Sequence, residues 1–498
     1  MWKGTSLPVA SALLSIAAPT GSPVLNDLAK RLLTTAAVPP EGEAEAGASS
    51  LMSLRVAKLI AFGAAGEAWR LAKQADAKLI DDQVVHDAAE NLLAAGGDDL
   101  CPQIPDLMKV RSNADWLKAQ VICQLRAKDN AGASVSLDVM RAEPSRDTIF
   151  LEIADKNIIT TRKNLPFQLT PLTASNLALL NLTALPLPGE LYGHPDLALA
   201  GALMHTQTKQ DVAQLGLAEH AAARGLVSVA DLEALYKTVA FTPDEIANPI
   251  AAKETGLRLR ALYYLAAVTD KDTGRRIGYA IRFVQSAMPA FTNVAGAVAA
   301  DMMGVVKADP AMHEDAATIA WIYMLAGRGD AALDWVRLAR GGSATADDVL
   351  KYWPQFVLAG MEAESDYSAD FDKWLAATLT PASAQEDPRV TRDAAAGALL
   401  LLDAAGFKVP DTAWAKVIAV AHNEKHIAPS PVLLDRMESA GAGGKKAETV
   451  LLAVGLAGDG DISLPAAVAI TRALRGAGFK GEAALFARQM AVLAVKQN

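Results

Sequence analysis

The sequence has little cysteine and few aromatic residues, and these shortages limit what the chain can be. Only 2 of its 498 residues are cysteines and 5% are aromatic, whereas alanine and leucine dominate. Two cysteines are too few for a cysteine-based zinc site, and they are not spaced as a redox pair. Strand-like alternation of β-branched or aromatic residues is nearly missing. This composition favours many small helix–helix contacts over a sheet-based core.

Long apolar runs and an excess of positive charge are lacking as well. The uncharged stretches 4–26 and 164–189 are broken by prolines and polar residues, and runs such as 394–402 are too short to cross a bilayer. The sequence therefore predicts a soluble chain without a transmembrane segment. The formal net charge of −9 argues against nucleic acid or an anionic membrane surface as partner, because both attract clustered lysine and arginine.

The first residues have some features of a secretion signal. Met1-Trp2-Lys3-Gly4 is followed by the apolar stretch 7–18, but Pro8 interrupts that stretch and no small-x-small cleavage pattern follows before Asp27. We expect these residues to begin the first helices of a mature chain whose leader is not visible in this sequence; a short signal is the alternative.

The two cysteines, Cys101 and Cys123, suggest a covalent link between a loop and a helix. Cys101 follows the glycine and aspartate turn at 96–99, and Cys123 lies in the helical run 115–127. A bridge of this span contributes about 3 kcal/mol by restricting the unfolded chain. We predict a disulfide and an oxidising compartment such as a bacterial periplasm. Two unrelated buried thiols are the alternative.

Four short segments combine a small-residue turn with an acid and then an alanine, between stretches of helical apolar spacing. Glycine lets one helix end in the left-handed conformation, and the acid favours the positive end of the next helix. The segments are 64–69, 326–332, 477–484 and, more loosely, 127–133. They predict helical hairpins and an all-α fold in which hairpin repeats form a curved solenoid. The turns are irregularly spaced, so the repeats are degenerate.

Prolines divide the chain into three parts. Residues 1–160 form a predicted N-terminal helical unit that contains the disulfide, with 148–159 as one ambiguous stretch. Residues 161–195 read as a linker or as short helices, because proline cannot sit inside a helix without breaking it. Residues 196–498 form the predicted C-terminal solenoid. The interrupting prolines are Pro166, Pro171, Pro186, Pro188 and Pro195.

One hairpin carries a family resemblance. Residues 317–339 read Ala-Thr-Ile-Ala-Trp-Ile-Tyr-Met-Leu-Ala-Gly-Arg-Gly-Asp-Ala-Ala-Leu-Asp-Trp-Val-Arg-Leu-Ala and resemble a degenerate tetratricopeptide or Sel1-like hairpin. Residues 477–487, and 116–118 ahead of Cys123, are similar to hairpins of alphaproteobacterial periplasmic helical-repeat proteins. Those proteins include uncharacterised families and the non-catalytic ring of soluble lytic transglycosylases. The resemblance implies a secreted scaffold and carries over no functional residue.

Two motifs that could carry chemistry are incomplete. His422 and His426 are four residues apart, but Asn423 stands where a zinc protease needs glutamate, which favours a polar helix end. Residues 439–446 contain a glycine-lysine pair, but Ser439 and Lys446 replace the glycine and the hydroxyl of a phosphate loop. This second motif indicates a flexible loop between helices.

Two further motifs also favour structural roles. The adhesion tripeptide inside 327–330 lies in a predicted hairpin turn, and His313-Glu314-Asp315 reads as a helix start. No glutamate has the serine- and glycine-flanked setting of a lytic transglycosylase. We therefore expect no catalytic, cofactor-binding or metal-binding residue, no cofactor, and a protein that is not an enzyme.

Aromatic residues concentrate in one stretch, since 14 of the 27 lie in residues 263–374. At helical spacing such residues usually form core, and the alternative is that some line a concave groove as partner anchors. The candidate anchors are Tyr263, Tyr264, Trp321, Trp335, Tyr352, Trp353 and Trp374.

These observations predict a non-enzymatic periplasmic scaffold or adaptor that binds protein partners. It would serve as a structural subunit of a cell-envelope machine for motility, secretion or wall assembly, or within a higher-order assembly. The alternative is an accessory protein that binds glycan or peptidoglycan, and a weaker one is a hydrolase with a site assembled from distant residues. Exposed aromatics beside carboxylates would favour glycan, and an apolar patch would favour protein.

Overall fold

A computed structural model describes most of the chain. The described residues are 1–42, 50–110, 116–142, 147–158, 169, 172–183, 187, 189–192, 196–204, 206, 212–341, 346–360, 367–380, 388–418 and 429–496. Within them the chain forms 28 α-helices and five 3-10 helices without a β-strand; Ser6 and Glu41 make an isolated bridge. The all-α prediction is confirmed, and the ambiguous stretch 148–159 is helical over Thr148–Ile158.

The chain divides into two compact units. The first contains Met1–Pro19 and Asn26–Asp231, and the second contains Thr20–Leu25 and Leu232–Asn498. The division follows Asp231 and does not fall in the predicted segment 161–195. The reason lies in the helix Ala174–Leu180, whose seven residues are all buried and which packs against Asp82–Ala94 in the first unit.

The first unit is built from twelve helices and the start of a thirteenth. They are α1 (Leu7–Ile16), α2 (Pro23–Thr34), α3 (Leu51–Ala61), α4 (Ala65–Gln74), α5 (Asp82–Ala94), α6 (Ile104–Val110), α7 (Trp116–Arg126), α8 (Asn130–Ala142), α9 (Thr148–Ile158), α10 (Ala174–Leu180), α11 (Ala200–Met204), α12 (Val212–Ala223) and α13 (Val229–Tyr236), with 3-10 helices at Cys101–Gln103, Gly189–Tyr192 and Leu197–Leu199. The first residues of α2 belong to the second unit.

Neighbouring helices of the first unit form hairpins, and later helices fold back onto them. α3 packs on α4 and α7 packs on α8, while α10 packs on α5, α7 and α9. Asn181, just after α10, donates a hydrogen bond to the Ala94 carbonyl at 3.1 Å. Cys101 and Cys123 form the predicted disulfide, with Cα atoms 5.4 Å apart, and it joins the first 3-10 helix to α7.

The second unit contains the longer helices. They are α14 (Pro243–Ala247), α15 (Gly256–Thr269), α16 (Thr273–Gln285), α17 (Thr292–Met303), α18 (Ala316–Leu325), α19 (Gly329–Arg340), α20 (Ala346–Lys351), α21 (Trp353–Leu358), α22 (Tyr367–Leu379), α23 (Pro388–Ala405), α24 (Asp411–Ile418), α25 (Pro431–Ala442), α26 (Lys446–Ala457), α27 (Leu464–Gly476) and α28 (Lys480–Lys496), with 3-10 helices at Pro289–Phe291 and Pro310–Asp315.

Packing in the second unit begins with chain neighbours and extends beyond them. Helices α15 to α19 pack each on the next, and so do α25 to α28. The last helix, α28, also packs against α17, α21 and α23. A solenoid repeat contacts only its neighbours, so α28 departs from the neighbour-only packing that the sequence analysis expects.

The predicted hairpin turns occur, although the residue in the left-handed conformation differs in two of them. Gly327 and Gly478, each the second residue after its helix (α18 and α27), have φ of 73° and 91°. In the first hairpin Gly63 takes this role with φ of 68°, whereas Gly66 lies inside α4. In the fourth it is Lys128, with φ of 60°. The residue pattern therefore predicts where a turn lies more reliably than it predicts which residue caps the helix.

Helix α1 covers most of the apolar stretch 7–18 near the start, and its Leu13 and Leu14 are buried in the first unit. Among the helices of the described residues, none combines the length and apolar character that crossing a bilayer requires.

Candidate functional site

The seven aromatic residues considered as partner anchors lie in the interior of the second unit. They are Tyr263, Tyr264, Trp321, Trp335, Tyr352, Trp353 and Trp374, and none is more than 9% exposed. Four of them stack in pairs: the ring centres of Trp321 and Tyr352 lie 4.8 Å apart, and those of Trp353 and Trp374 lie 5.4 Å apart. The anchor interpretation fails because all seven side chains are buried inside the unit, and core is their role.

The remaining sequence motifs have structural settings. Arg328 of the adhesion tripeptide donates a hydrogen bond to the Ala300 carbonyl and pairs with the Asp301 carboxylate, so it ties the α18–α19 turn to α17. Residues 439–446 span the turn between α25 and α26, as expected, and 313–315 belong to the 3-10 helix before α18. His422 and His426 lie outside the described residues.

A groove between α23, α25 and α27 offers a better candidate site. Its volume is about 700 Å³, and most of its lining is aliphatic. α27 contributes the largest share, from Leu464 to Gly476, α25 contributes Leu434 and Glu438, and α23 contributes Leu400. We call this feature the apolar groove.

Contacts along α27 show how its neighbour α23 is placed. A Cβ atom on Gly397 would lie 3.5 Å from Leu464 Cδ2, near the start of α27. Two turns later, Arg472 Nη2 lies 2.8 Å from Asp403 Oδ2. Both helices therefore run in the same direction along the groove.

α25 approaches α27 so closely at one point that side chains are excluded. A Cβ atom on Gly441 would lie 2.6 Å from Ala473 Cα, and one on Gly476 would lie 2.8 Å from the Gly441 carbonyl oxygen. Real Cβ atoms essentially never come this close, so the crossing requires glycine. Small residues here let the two backbones meet at this end of the groove.

The lining changes from apolar to basic along α27. Leu464, Pro465 and Val468 line the beginning, and Leu464 is 37% exposed. Beyond them lies a second cleft of about 470 Å³, which shares Arg472 and Gly476 with the apolar groove. Its other lining residues include Arg475, Lys480 and Asp403. We call Arg472, Arg475 and Lys480 the basic end.

The charges of the basic end are only partly neutralised. Arg472 pairs with Asp403, but both side chains are about half exposed, so this surface pair contributes little stability. Within the described part of the chain neither Arg475 nor Lys480 forms an ion pair, and both are exposed. An apolar channel that ends in cations can bind an amphiphilic anionic partner. Among the described residues that line the groove there is no histidine, cysteine, serine or aromatic.

A buried polar cluster in the first unit is the second candidate. His86 Nε2 lies 3.5 Å from Glu90 Oε1, and the His86 ring meets the Trp116 ring edge-on at 5.5 Å. Burial raises the pKa of Glu90, while the nearby His86 and Lys118 lower it. His86 is only 3% exposed, so a substrate could reach it only if helices separated. The cluster is therefore part of the core of the first unit. Sequence reasoning did not identify it.

Sequence reasoning also placed no site on α27. The available signal was a run of small residues, Ala469, Ala473 and Gly476, beside two arginines at a spacing of three. This pattern is typical of any closely packed helix pair, and it does not reveal which face a neighbour covers. Among the described residues, no three His, Cys, Asp or Glu side chains gather where they could hold a metal ion.

Comparison of the chain with protein-family models, with curated proteins and with solved structures finds no match. Residues 317–339, which resemble a tetratricopeptide or Sel1-like hairpin, form α18, its turn and most of α19. Their assignment to that family stays a prediction.

Proposed function

We propose that this protein is a non-enzymatic scaffold or adaptor that binds a protein partner in the apolar groove. The observation that carries the proposal is the groove itself, about 700 Å³ lined mainly by aliphatic side chains. Apolar surface exposed to water is costly, and grooves between helices are a recurring docking place for partner helices. Leu464 and Leu434 offer the partner aliphatic contacts on two sides.

The groove supports a protein partner over the glycan alternative. Carbohydrate rings bind well against exposed aromatic faces, whereas this lining is aliphatic. The aromatic residues that the sequence offered for such contacts are core. Aliphatic walls suit leucine, valine and alanine side chains of another protein, because burial of such surface is the main source of affinity.

The compartment and the wider assembly are parts of the same proposal. The disulfide between Cys101 and Cys123 supports an oxidising location such as the periplasm, since disulfides persist there and are rare in the cytosol. A serial arrangement of hairpins, with solenoid character, would present extended surface to a cell-envelope machine. The groove would then be one docking point within that assembly.

Site-specific photo-crosslinking tests the proposal in the cells that make the protein. A photoreactive phenylalanine derivative replaces Leu464 in the apolar groove; in the control it replaces Val432, which is 71% exposed on α25 but does not line the groove. We expect a discrete protein adduct at position 464 that is missing at position 432. Equal adducts at both positions, no adduct at either, or turnover of peptide or glycan by the purified chain would overturn the proposal.

A further inference from the structure

We infer that the occupant of the apolar groove is an amphipathic helix of a partner protein whose acidic residues lie at one end, over Arg475 and Lys480. This inference rests on the proposed function and adds the chemistry of the partner. It follows from three properties of the groove, namely its length, its opening to solvent and its charge.

The length of the groove matches a short helix. Its lining follows α27 from Leu464 to the crossing with α25 at Ala473. At 1.5 Å per residue this distance is about 14 Å, or about two and a half helical turns. A partner helix of about ten residues would therefore bury about three apolar side chains at the i, i+3 and i+7 spacing of helix-in-groove recognition.

The opening of the groove selects an amphipathic occupant. The groove is open to solvent on one side, and Leu464 and Pro465 at its beginning are exposed. An acyl chain lying here would keep much of its apolar surface in water, which costs free energy. An amphipathic helix avoids that cost because it turns its own polar face outward. A helix is therefore favoured over a lipid chain, although both have an apolar part.

The charge of the groove gives the occupant a direction. The chain as a whole carries a net charge of −9, yet the basic end gathers three cations against Asp403. Gly406, with φ of 102°, lies directly beneath the Arg475 guanidinium, where any side chain would collide with it. Glycine at this position therefore leaves free the space that the guanidinium occupies in the second cleft.

A partner that docks here therefore carries its acids at one end of its apolar stripe. Acids spread evenly along the stripe would put carboxylates beside Leu464 and Val468, where they would lose hydration without a partner. Acids at the end nearest the C-terminus of α27 lie over Arg475 and Lys480. Their negative charge also attracts the partner toward the basic end as the two proteins approach each other.

Selection from a displayed library of helical 16-residue peptides tests the inference on the full chain. The library randomises charge on both flanks of a constant leucine and alanine stripe. Enriched peptides are then measured by fluorescence anisotropy against the wild type and against three variants. These are Arg475→Glu/Lys480→Glu at the basic end, Leu464→Asp in the apolar groove, and Lys253→Glu/Lys271→Glu, which makes the same change in net charge at exposed sites on other loops.

We expect the enriched peptides to carry acids at one end and to bind the Arg475→Glu/Lys480→Glu variant about tenfold more weakly or worse. The Lys253→Glu/Lys271→Glu variant should bind like the wild type, and circular dichroism should show the same helix content in all variants. Peptides without an acidic end, or insensitive to the reversal but lost in Leu464→Asp, would overturn the inference and leave the proposed function standing.

Two other results would contradict the docking site itself or the type of occupant. Peptide binding that survives Leu464→Asp would place the docking site elsewhere and overturn both proposals. Saturable binding of dodecanoate, or self-association of the chain, that Arg475→Glu/Lys480→Glu abolishes would identify a lipid or a second copy as occupant and overturn the partner helix.

Discussion

Glu90 is a carboxyl of the first unit that lies almost entirely out of contact with water. Its neighbours on α5 are His86 and Asp87, and Lys118 faces it from α7. Burial raises its pKa above the ordinary 4.5, and the attraction of His86 and Lys118 offsets part of that rise. Asp147, which pairs with Lys118 at 3.1 Å, takes up some of the positive charge that would otherwise stabilise a Glu90 carboxylate.

This raised pKa predicts a pH dependence of stability with a definite sign. At pH values between 4.5 and the raised pKa of the folded state, the folded chain binds a proton on Glu90 more tightly than the unfolded chain does. The free energy of unfolding therefore contains a contribution that is full below pH 4.5 and is lost as the pH rises through the folded pKa. Glu90→Gln removes this contribution, so wild type should lose stability relative to Glu90→Gln as pH increases through the window.

Urea unfolding followed by circular dichroism, at a series of pH values from about 4 to 8, checks the prediction. The exposed Glu41→Gln serves as the matched control for the loss of one negative charge. A Glu90→Gln difference that stays flat across the series would show that Glu90 titrates at the same pH in the folded and unfolded chains.

At the scale of elements, the crossing of α25 and α27 depends on the absence of side chains. Gly441 lies against Ala473 backbone and Gly476 lies against Gly441 backbone, so neither contact can be relieved by turning a side chain. Helices that meet without intervening side chains gain dispersion contacts along their backbones. The same crossing closes one end of the apolar groove, so local packing and the candidate site share residues.

Gly441→Ala is expected to destabilise the second unit. The added Cβ would lie 2.6 Å from Ala473 Cα, so the helices must separate, which costs about 1–3 kcal/mol in the free energy of unfolding. Gly278→Ala is the matched control, because Gly278 lies inside α16 and an added Cβ there meets no atom within 4 Å. That control should be neutral or more stable by up to about 1 kcal/mol.

Thermal and urea unfolding of the two alanine variants measure the difference. Equal stability of Gly441→Ala and Gly278→Ala would mean that the α25–α27 crossing is loose enough to admit a methyl group, which contradicts the close approach.

At the scale of the whole molecule, chain order and unit membership do not coincide. Thr20–Leu25 belongs to the second unit although more than 200 residues separate it from Leu232. Ser22 is fully buried there, and its Oγ donates to Gln489 Oε1 at 2.7 Å. Gln489 Nε2 donates in turn to the Gly21 carbonyl at 3.3 Å. The second unit therefore needs a segment from near the start of the chain.

Ser22→Ala should lower the free energy of unfolding of the second unit by about 1–3 kcal/mol, because Gln489 Oε1 loses its partner inside the core. Ser15→Ala is the control, since the exposed Ser15 hydroxyl donates to the Ala12 carbonyl of its own helix. Differential scanning calorimetry of the full chain checks the pair of variants. Identical melting of the two would mean that water replaces the serine hydroxyl at no cost.

The sequence by itself determined the helical class, the hairpin positions and the disulfide. Helix formation and turns depend on residues within one or two turns of each other, so Gly327 and Gly478 could be identified from their immediate neighbours. The disulfide was readable because Cys101 and Cys123 are the only two cysteines. The sequence did not identify Gly63 and Lys128 as the residues that take the left-handed conformation at the helix ends. Backbone hydrogen bonding decides which of several adjacent residues takes that conformation.

Only the tertiary structure decided where side chains are buried, where the units divide and where a groove stays open. The burial of Trp353 depends on Trp374 and on other helices around it, and the membership of Ser22 depends on Gln489 at the far end of the chain. The apolar groove exists because α23 and α25 flank α27 without covering Leu464. Each of these outcomes depends on which helix faces meet across long sequence separations, and helical periodicity identifies an apolar face but not the face that packs against it.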